Sequence, residues 1–103
     1  ELAMALVNAH VDAGKAGDTA LAGTLLDELR TLAQLHPDES LLRERLAKAL
    51  FNAHLHAGEA GDTALSGTLL DELRTLAQKH PDEPPLRAEL AKLMGYRTFA
   101  EYS

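Results

Sequence analysis

The sequence predicts an all-α protein built from antiparallel helix pairs that repeat along the chain. A shift of 44 residues places 8–50 on 52–94, and 32 of the 43 pairs are identical. Leucine and alanine recur at steps of three and four residues, which is the spacing of an amphipathic helix. No stretch shows the alternation of β-branched and polar residues that is typical of a strand. These observations together predict about five helices.

The five predicted helices lie near residues 2–13, 18–35, 39–57, 62–79 and 83–101. Ala, Leu, Glu, Lys, Arg and Gln dominate them, and all of these residues favour helix formation. Each helix of the complete unit carries one apolar stripe, which we expect in the core. The stripe residues are Leu42, Leu46, Ala49, Leu50 and Ala53 on the first helix and Leu65, Leu69, Leu70, Leu73, Leu76 and Ala77 on the second.

Glycine, proline and aspartate mark the predicted helix ends, and each mark recurs 44 residues later. Gly14 and Gly17 lie between the two helices of a pair, where glycine can adopt the positive φ that closes a helix. Asp18 follows and is predicted to cap the next helix. Pro37 disfavours helix in the residue before it, and Asp38 is predicted to cap the helix that comes after.

Length and composition describe one small domain of 103 residues with a formal charge of −6. It divides into a first unit at 1–37 that lacks the start of its first helix, a complete unit at 38–81 and a partial unit at 82–103. The acidic balance argues against nucleic acid, since binding phosphate needs clustered Lys and Arg. The chain has no cysteine, no visible signal peptide and no apolar run near the roughly 20 residues that span a bilayer. We expect a cytoplasmic protein.

Seven positions of the complete unit carry a family resemblance. They are Leu46, Ala47 and Leu50 on the first helix, Leu69, Leu73 and Leu76 on the second, and the terminal proline Pro81. With this spacing the repeat resembles the tetratricopeptide family. Its period of 44 exceeds the usual length of about 34, so the helix pair is longer or its turn expanded. The resemblance implies a right-handed α-solenoid whose first helices line a concave groove. Armadillo- and HEAT-like units have similar periods and remain alternatives.

The sequence contains no catalytic motif: it has no G-x-S-x-G, no phosphate loop and no H-E-x-x-H. We predict a non-catalytic protein without cofactor or metal. His10 and His54 are repeat equivalents, and His56 does not share a helix face with His54. These histidines are therefore predicted to be solvent-facing or groove-edge residues rather than metal ligands. His36 and His80 are predicted to complement the negative ends of helix dipoles.

The predicted binding row lies one step round from the apolar stripe of the first helices. Some tetratricopeptide domains hold a peptide's C-terminal carboxylate with Lys and Asn, and Lys48 and Asn52 resemble that pair. Lysine supplies charge, asparagine a donor and an acceptor, and an aromatic ring packs against a side chain. Met4 and Tyr96 stand where a Lys and an Asn would complete the clamp. The candidate peptide-binding residues are Asn8, Glu44, Lys48, Phe51, Asn52, Lys92 and Tyr96.

Two other functions stay open alongside the binding of a peptide or protein segment. Apolar residues of the end helices, such as Leu2 and Leu90, have no covering neighbour in the predicted stack, which favours a homo-oligomer or end-to-end stacking. The closeness of the two copies also fits an engineered array without a natural ligand.

Two further features recur in both copies. Gly23 and Gly67 are mid-helix, which predicts a close helix approach. Asp27 and Arg30 are spaced i, i+3, and so are their counterparts Asp71 and Arg74. This spacing predicts ion pairs on a solvated face.

Overall fold

The computed structural model describes residues 2–92, and its regular structure within that range is α-helix. The first four helices are α1 (Leu2–Lys15), α2 (Thr19–Leu35), α3 (Ser40–Glu59) and α4 (Thr63–Lys79). A further helical segment covers 84–92. The predicted helices are confirmed to within two residues at each end of α1 to α4. The predicted part of the fifth helix after residue 92 lies outside the described residues.

The turn inside each pair has the predicted structure. Gly17 and Gly61 adopt φ of +78° and +79°, the left-handed region in which glycine has no steric cost. Asp18 Oδ1 accepts a hydrogen bond from the Leu21 N–H at 3.0 Å, and Asp62 does the same for its helix. These caps satisfy one of the free N–H groups at each helix start. The predictions for both aspartates are therefore confirmed.

The turn between the pairs differs from the prediction. His36 is the C-cap of α2, and the Glu39 N–H bonds to its carbonyl at 3.1 Å. This tight turn places Glu39, and not Asp38, at the N-cap of α3, where no side chain caps the helix. The predicted cap by Asp38 is wrong because the turn uses one more residue than the sequence pattern suggested.

The packing of the helices follows the repeat order. The backbones of α1 and α2 pack together, as do those of α3 and α4, and α3 also packs on both α1 and α2. By contrast, the backbones of α2 and α4 do not contact each other. As a result α3 forms a floor between α2 and α4, and the backbones of these two helices stand apart above it.

Most of the predicted stripe lies in the core. Leu50 and Leu73 are fully buried, and leucines of both helix pairs join them in one cluster. Ala53 and Leu76 are half-buried and pack against that cluster. Leu65 is the exception, since it is 47 % exposed. It lies in the first turn of α4, and its counterpart in the first turn of α2 is equally exposed, so that turn faces outward in both units.

The close helix approach is at Gly14 rather than at the predicted glycines. A Cβ on Gly14 would lie 3.1 Å from Cδ2 and Nε2 of the His56 ring, which packs across α1. Among the described residues, nothing lies within 4 Å of a Cβ built at Gly23 or Gly67. Both of these glycines face solvent, so the prediction for them is wrong.

Candidate functional site

His10 lies inside the first helix pair, contrary to the prediction of a solvent-facing or groove-edge residue. It follows Leu6 and Val7 on the apolar face of α1 and is 2 % exposed. Its Nδ1 lies 2.9 Å from the Ala22 carbonyl of α2. Because a carbonyl only accepts, Nδ1 carries the proton and donates. Nε2 is buried and makes no hydrogen bond to any described residue. His10 thus joins α1 to α2.

His54 makes the equivalent contact in the second pair. Its Nδ1 lies 2.8 Å from the Ser66 carbonyl and 2.9 Å from the Ser66 hydroxyl, and the residue is half-buried. The prediction of a groove-edge position is corrected here too. His56 packs on Gly14, with Nδ1 3.8 Å from the Glu59 carboxylate. Across residues 2–92, no three His, Asp or Glu side chains converge as metal ligands.

A salt bridge joins the two units above α3. Arg30 on α2 donates from Nε to Glu72 Oε2 at 2.8 Å and from Nη2 to Oε1 at 2.6 Å. The hydrogen bond to Glu72 raises the pKa of Arg30 above its ordinary value. Arg30 also donates to Asp27 at 2.6 Å, as predicted. The sequence spacing predicts Asp27 as a partner of Arg30, but it does not predict Glu72 on the other unit.

A second bridge holds the segment 84–92 against α3. Arg43 donates from Nε to both oxygens of Glu83 at 2.9 and 3.0 Å, and from Nη1 to the Pro37 carbonyl. Both side chains are mostly buried, at 10 and 15 % exposure. The bond to Glu83 raises the pKa of Arg43, and Asp82 and Asp38 add to the effect through their charge.

The predicted binding row falls on one side of the first helices. We call Asn8, Lys48, Phe51 and Lys92 the first-helix face. Asn8, Lys48 and Lys92 are exposed on successive first helices, and Phe51 is half-buried against the core. Glu44 is half-buried beside this face. The amide nitrogen of Asn52 is buried and has no hydrogen-bond partner among the described residues, so it points away from solvent. Tyr96 lies outside the described residues.

A cleft of about 590 Å³ opens on the other side of α3, between α2 and α4. None of the sequence patterns described above predicts this cleft. One signal was available: Lys79 stands where the first copy has Leu35, so the copies differ at its edge. The cleft has a leucine floor and mostly polar walls. Its lining residues are Arg30, Ala33, Gln34, Pro37, Arg43, Leu46, Leu50, Glu72, Thr75, Leu76, Lys79 and His80.

A shallower groove of about 400 Å³ lies between α1 and α2. Leu2, Leu6, Glu28, Thr31 and Leu32 line it, and each is the repeat counterpart of a residue in the larger cleft. This groove is therefore the equivalent surface of the first unit, lined by α1 and α2.

No family model matches the sequence, and neither curated proteins nor solved structures give a match. The resemblance to tetratricopeptide repeats therefore stays a prediction. No helix in residues 2–92 combines the length and apolar character needed to cross a membrane.

Proposed function

We propose that the chain is a non-catalytic protein-interaction module, a right-handed α-solenoid of the tetratricopeptide type that binds a peptide or protein segment on its first-helix face. The packing of α3 on both helices of the preceding pair supports the stacking, because each pair then covers the apolar side of its neighbour. The absence of cysteine is consistent with the cytoplasm as its proposed compartment.

The observation that carries this proposal is one exposed lysine repeated on successive first helices. Lys48 and Lys92 are 44 residues apart, and both are exposed. Lys48 has no ion pair with another described residue. Lys92 Nζ lies 3.3 Å from Glu89 Oε1 of its own segment and pairs with no other residue in 2–92. In a chain of net charge −6, these cations attract a carboxylate-bearing ligand. Phe51, one turn from Lys48, adds an aromatic surface for a side chain.

The experiment is a binding screen on an array of pentapeptides with free C-terminal carboxylates. Lys48→Ala should weaken the best ligand about tenfold, which corresponds to about 1.4 kcal/mol. Lys15→Ala removes the same charge at the end of α1 and should leave the affinity unchanged. Amidation of the peptide's C-terminus distinguishes recognition of the terminal carboxylate from recognition of an acidic side chain. Unchanged binding after both Lys48→Ala and Phe51→Ala would remove the first-helix face from the proposal.

Self-association is a second candidate. It is favoured because the residue types of the Arg30–Glu72 bridge recur at the equivalent positions of the other unit. Glu28 is the counterpart of Glu72. Arg74, the counterpart of Arg30, pairs with Asp71 at 3.4 Å and with no other residue of the described part of the chain. Glu28 makes no ion pair with a described residue, so Arg74 of a second copy could form the missing bridge with it. Stacking of this kind must displace the segment 84–92. The peptide-binding proposal needs no such change.

Sedimentation of the chain tests this candidate. A self-association that Glu28→Arg abolishes, and that a mixture with Arg74→Glu restores, would support it. A monomer at high concentration would reject it.

A further inference from the structure

The cleft between α2 and α4 is a second surface, separate from the first-helix face. Lys48 is two residues from both Leu46 and Leu50, which puts it about 200° around α3 from either leucine. The leucines form the floor of the cleft, so the two surfaces lie on opposite sides of α3. Binding in the cleft therefore does not depend on the function proposed above.

The dimensions of the cleft suit a short stretch of extended chain. Along α4, its lining runs from Glu72 to Lys79. The Arg30–Glu72 salt bridge crosses the cleft at one end of that range. From Thr75 to Lys79, which is about 6 Å at 1.5 Å per residue, no described hydrogen bond or ion pair joins α2 to α4. About two extended residues span that distance, and a chain can enter it from above.

The floor of the cleft offers an apolar contact. Leu46 and Leu50 are buried beneath it, and Leu76 is half-buried on the α4 wall. Ala33 stands opposite on α2, where its small side chain leaves room above the floor. Leu50 is fully buried, so an aliphatic side chain that enters the cleft replaces water over Leu46 and Leu76, which favours binding.

The walls of the cleft offer unused hydrogen-bonding groups. The hydroxyl of Thr31 donates to the Asp27 carbonyl of its own helix at 3.0 Å. Its counterpart Thr75 lines the cleft and makes no such bond, and the Gln34 amide opposite has no partner among the described residues either. A peptide backbone presents the N–H and C=O groups that match these side chains, whereas a lipid chain presents none. The walls therefore favour a peptide.

The charge at one end of the cleft selects an acidic ligand. Arg30 is occupied by Glu72, and Arg43 by Glu83. Lys79 has no carboxylate within ion-pair distance among the described residues. Its counterpart in the first unit is Leu35, so this charge is particular to the edge of the cleft.

We infer that the cleft binds a short acidic peptide segment, with an aliphatic side chain on Leu46 and Leu76 and a carboxylate paired with Lys79. Thr75 and Gln34 hold the backbone of the segment between these two contacts. The occupant is a stretch of a partner protein that carries a leucine followed by Asp or Glu.

The test uses a fluorescein-labelled, amidated peptide of sequence Ser-Leu-Asp-Glu-Ser and its neutral match Ser-Leu-Asn-Gln-Ser. Fluorescence anisotropy gives the affinities, and amide chemical shifts give the location. We expect only the acidic peptide to bind, with the largest shifts at 72–80. Lys79→Leu should weaken binding about fivefold, the effect of one surface ion pair. Thr75→Val should weaken it about threefold, through the loss of a neutral hydrogen bond.

The repeat supplies matched controls. Lys79→Leu introduces the residue that the first unit carries at 35, so it suits the fold. Leu35→Lys and Thr31→Val make the equivalent changes outside the cleft and should leave the affinity unchanged. Equal binding of the neutral peptide, or full affinity of Lys79→Leu, would overturn the inference.

Two further outcomes separate this inference from its competitors. Shifts at Lys48 and Phe51 that Lys48→Ala removes would assign the peptide to the first-helix face and overturn the cleft. Binding of dodecanoate at 72–80 without binding of the peptide would make the cleft a lipid site and also overturn the inference. Peptide binding at 72–80 that Lys48→Ala leaves unchanged supports the cleft, even if the first-helix face binds no ligand.

Discussion

Arg30 on α2 and Glu72 on α4 form a two-point salt bridge across helices whose backbones do not contact each other. Its two hydrogen bonds, at 2.8 and 2.6 Å, match the planar guanidinium to the carboxylate. The bridge spans the cleft above α3, so it fixes the spacing of the two cleft walls. The helices α2 and α4 are equivalent elements of consecutive units. A longer array of this repeat would therefore form the same bridge at each junction between units.

We predict that this bridge contributes about 1 kcal/mol of coupling to the free energy of unfolding. Both side chains are about one-third exposed, which places the pair between a surface bridge and a buried one. A double-mutant cycle with Arg30→Met and Glu72→Met, measured by urea denaturation, isolates the term. The coupling should shrink in 1 M salt, because screening acts on partly exposed charges.

The control is another arginine–carboxylate pair, which lies at the surface. Arg74 and Asp71 lie 3.4 Å apart on one helix, and we expect their cycle to give less than about 0.5 kcal/mol. Equal coupling in both cycles would mean that the geometry across the cleft adds nothing.

A larger effect is expected at Arg43 and Glu83, because both side chains are mostly buried. Arg43→Met leaves the Glu83 carboxylate without its partner, and we expect a loss of about 3–5 kcal/mol. Arg43→Met combined with Glu83→Leu should recover most of that loss, since no charge is then left unpaired. Thermal or urea unfolding monitored by circular dichroism measures both changes.

Arg87 provides the control for this prediction. It is the repeat counterpart of Arg43, but it is exposed and has no ion pair with a described residue. Arg87→Met should change the stability by less than about 0.5 kcal/mol. A similar loss at both arginines would contradict the assignment of the effect to the buried bridge.

His10 should prove a structural residue of the first helix pair. His10→Ala removes a buried ring and its hydrogen bond to the Ala22 carbonyl, with an expected loss of about 2–3 kcal/mol. His10→Asn keeps an N–H donor near the position of Nδ1 and should lose less. His36→Ala, at an exposed helix end, should have almost no effect in the same urea titrations. If His10→Ala is equally silent, the ring does not join α1 to α2.

Features that depend on neighbouring residues were predictable from the sequence. The caps at Asp18 and Asp62 and the positive φ at Gly17 and Gly61 follow from chemistry within one turn of chain. The helix bounds follow from the apolar period in the same way. The 44-residue repeat added the order of the helices, because two near-identical stretches must fold alike.

Features that depend on which helices meet were not predictable. Arg30 has an acidic residue three positions before it, and nothing local shows that Glu72 is the better partner. His10 looked polar in the sequence, although its place on the apolar face, after Leu6 and Val7, indicated burial. The cleft arises because α2 and α4 stand apart over α3, and that spacing is a property of the stack. Only the change from Leu35 to Lys79 pointed to it.

Glycine substitutions should reveal the difference between the predicted and the observed close approach. Gly23 and Gly67 are exposed in mid-helix with no described atom within 4 Å of an added Cβ. Gly23→Ala should therefore stabilise the protein by about 0.5–1 kcal/mol, because alanine loses less backbone entropy in a helix. Gly14→Ala should gain less, since its Cβ meets the His56 ring at 3.1 Å. Gly17→Ala should be destabilising by about 1 kcal/mol, because its φ of +78° strains any residue with a Cβ. Urea denaturation of the three variants gives the order, and a loss of stability in Gly23→Ala would restore the close helix approach that the sequence suggested.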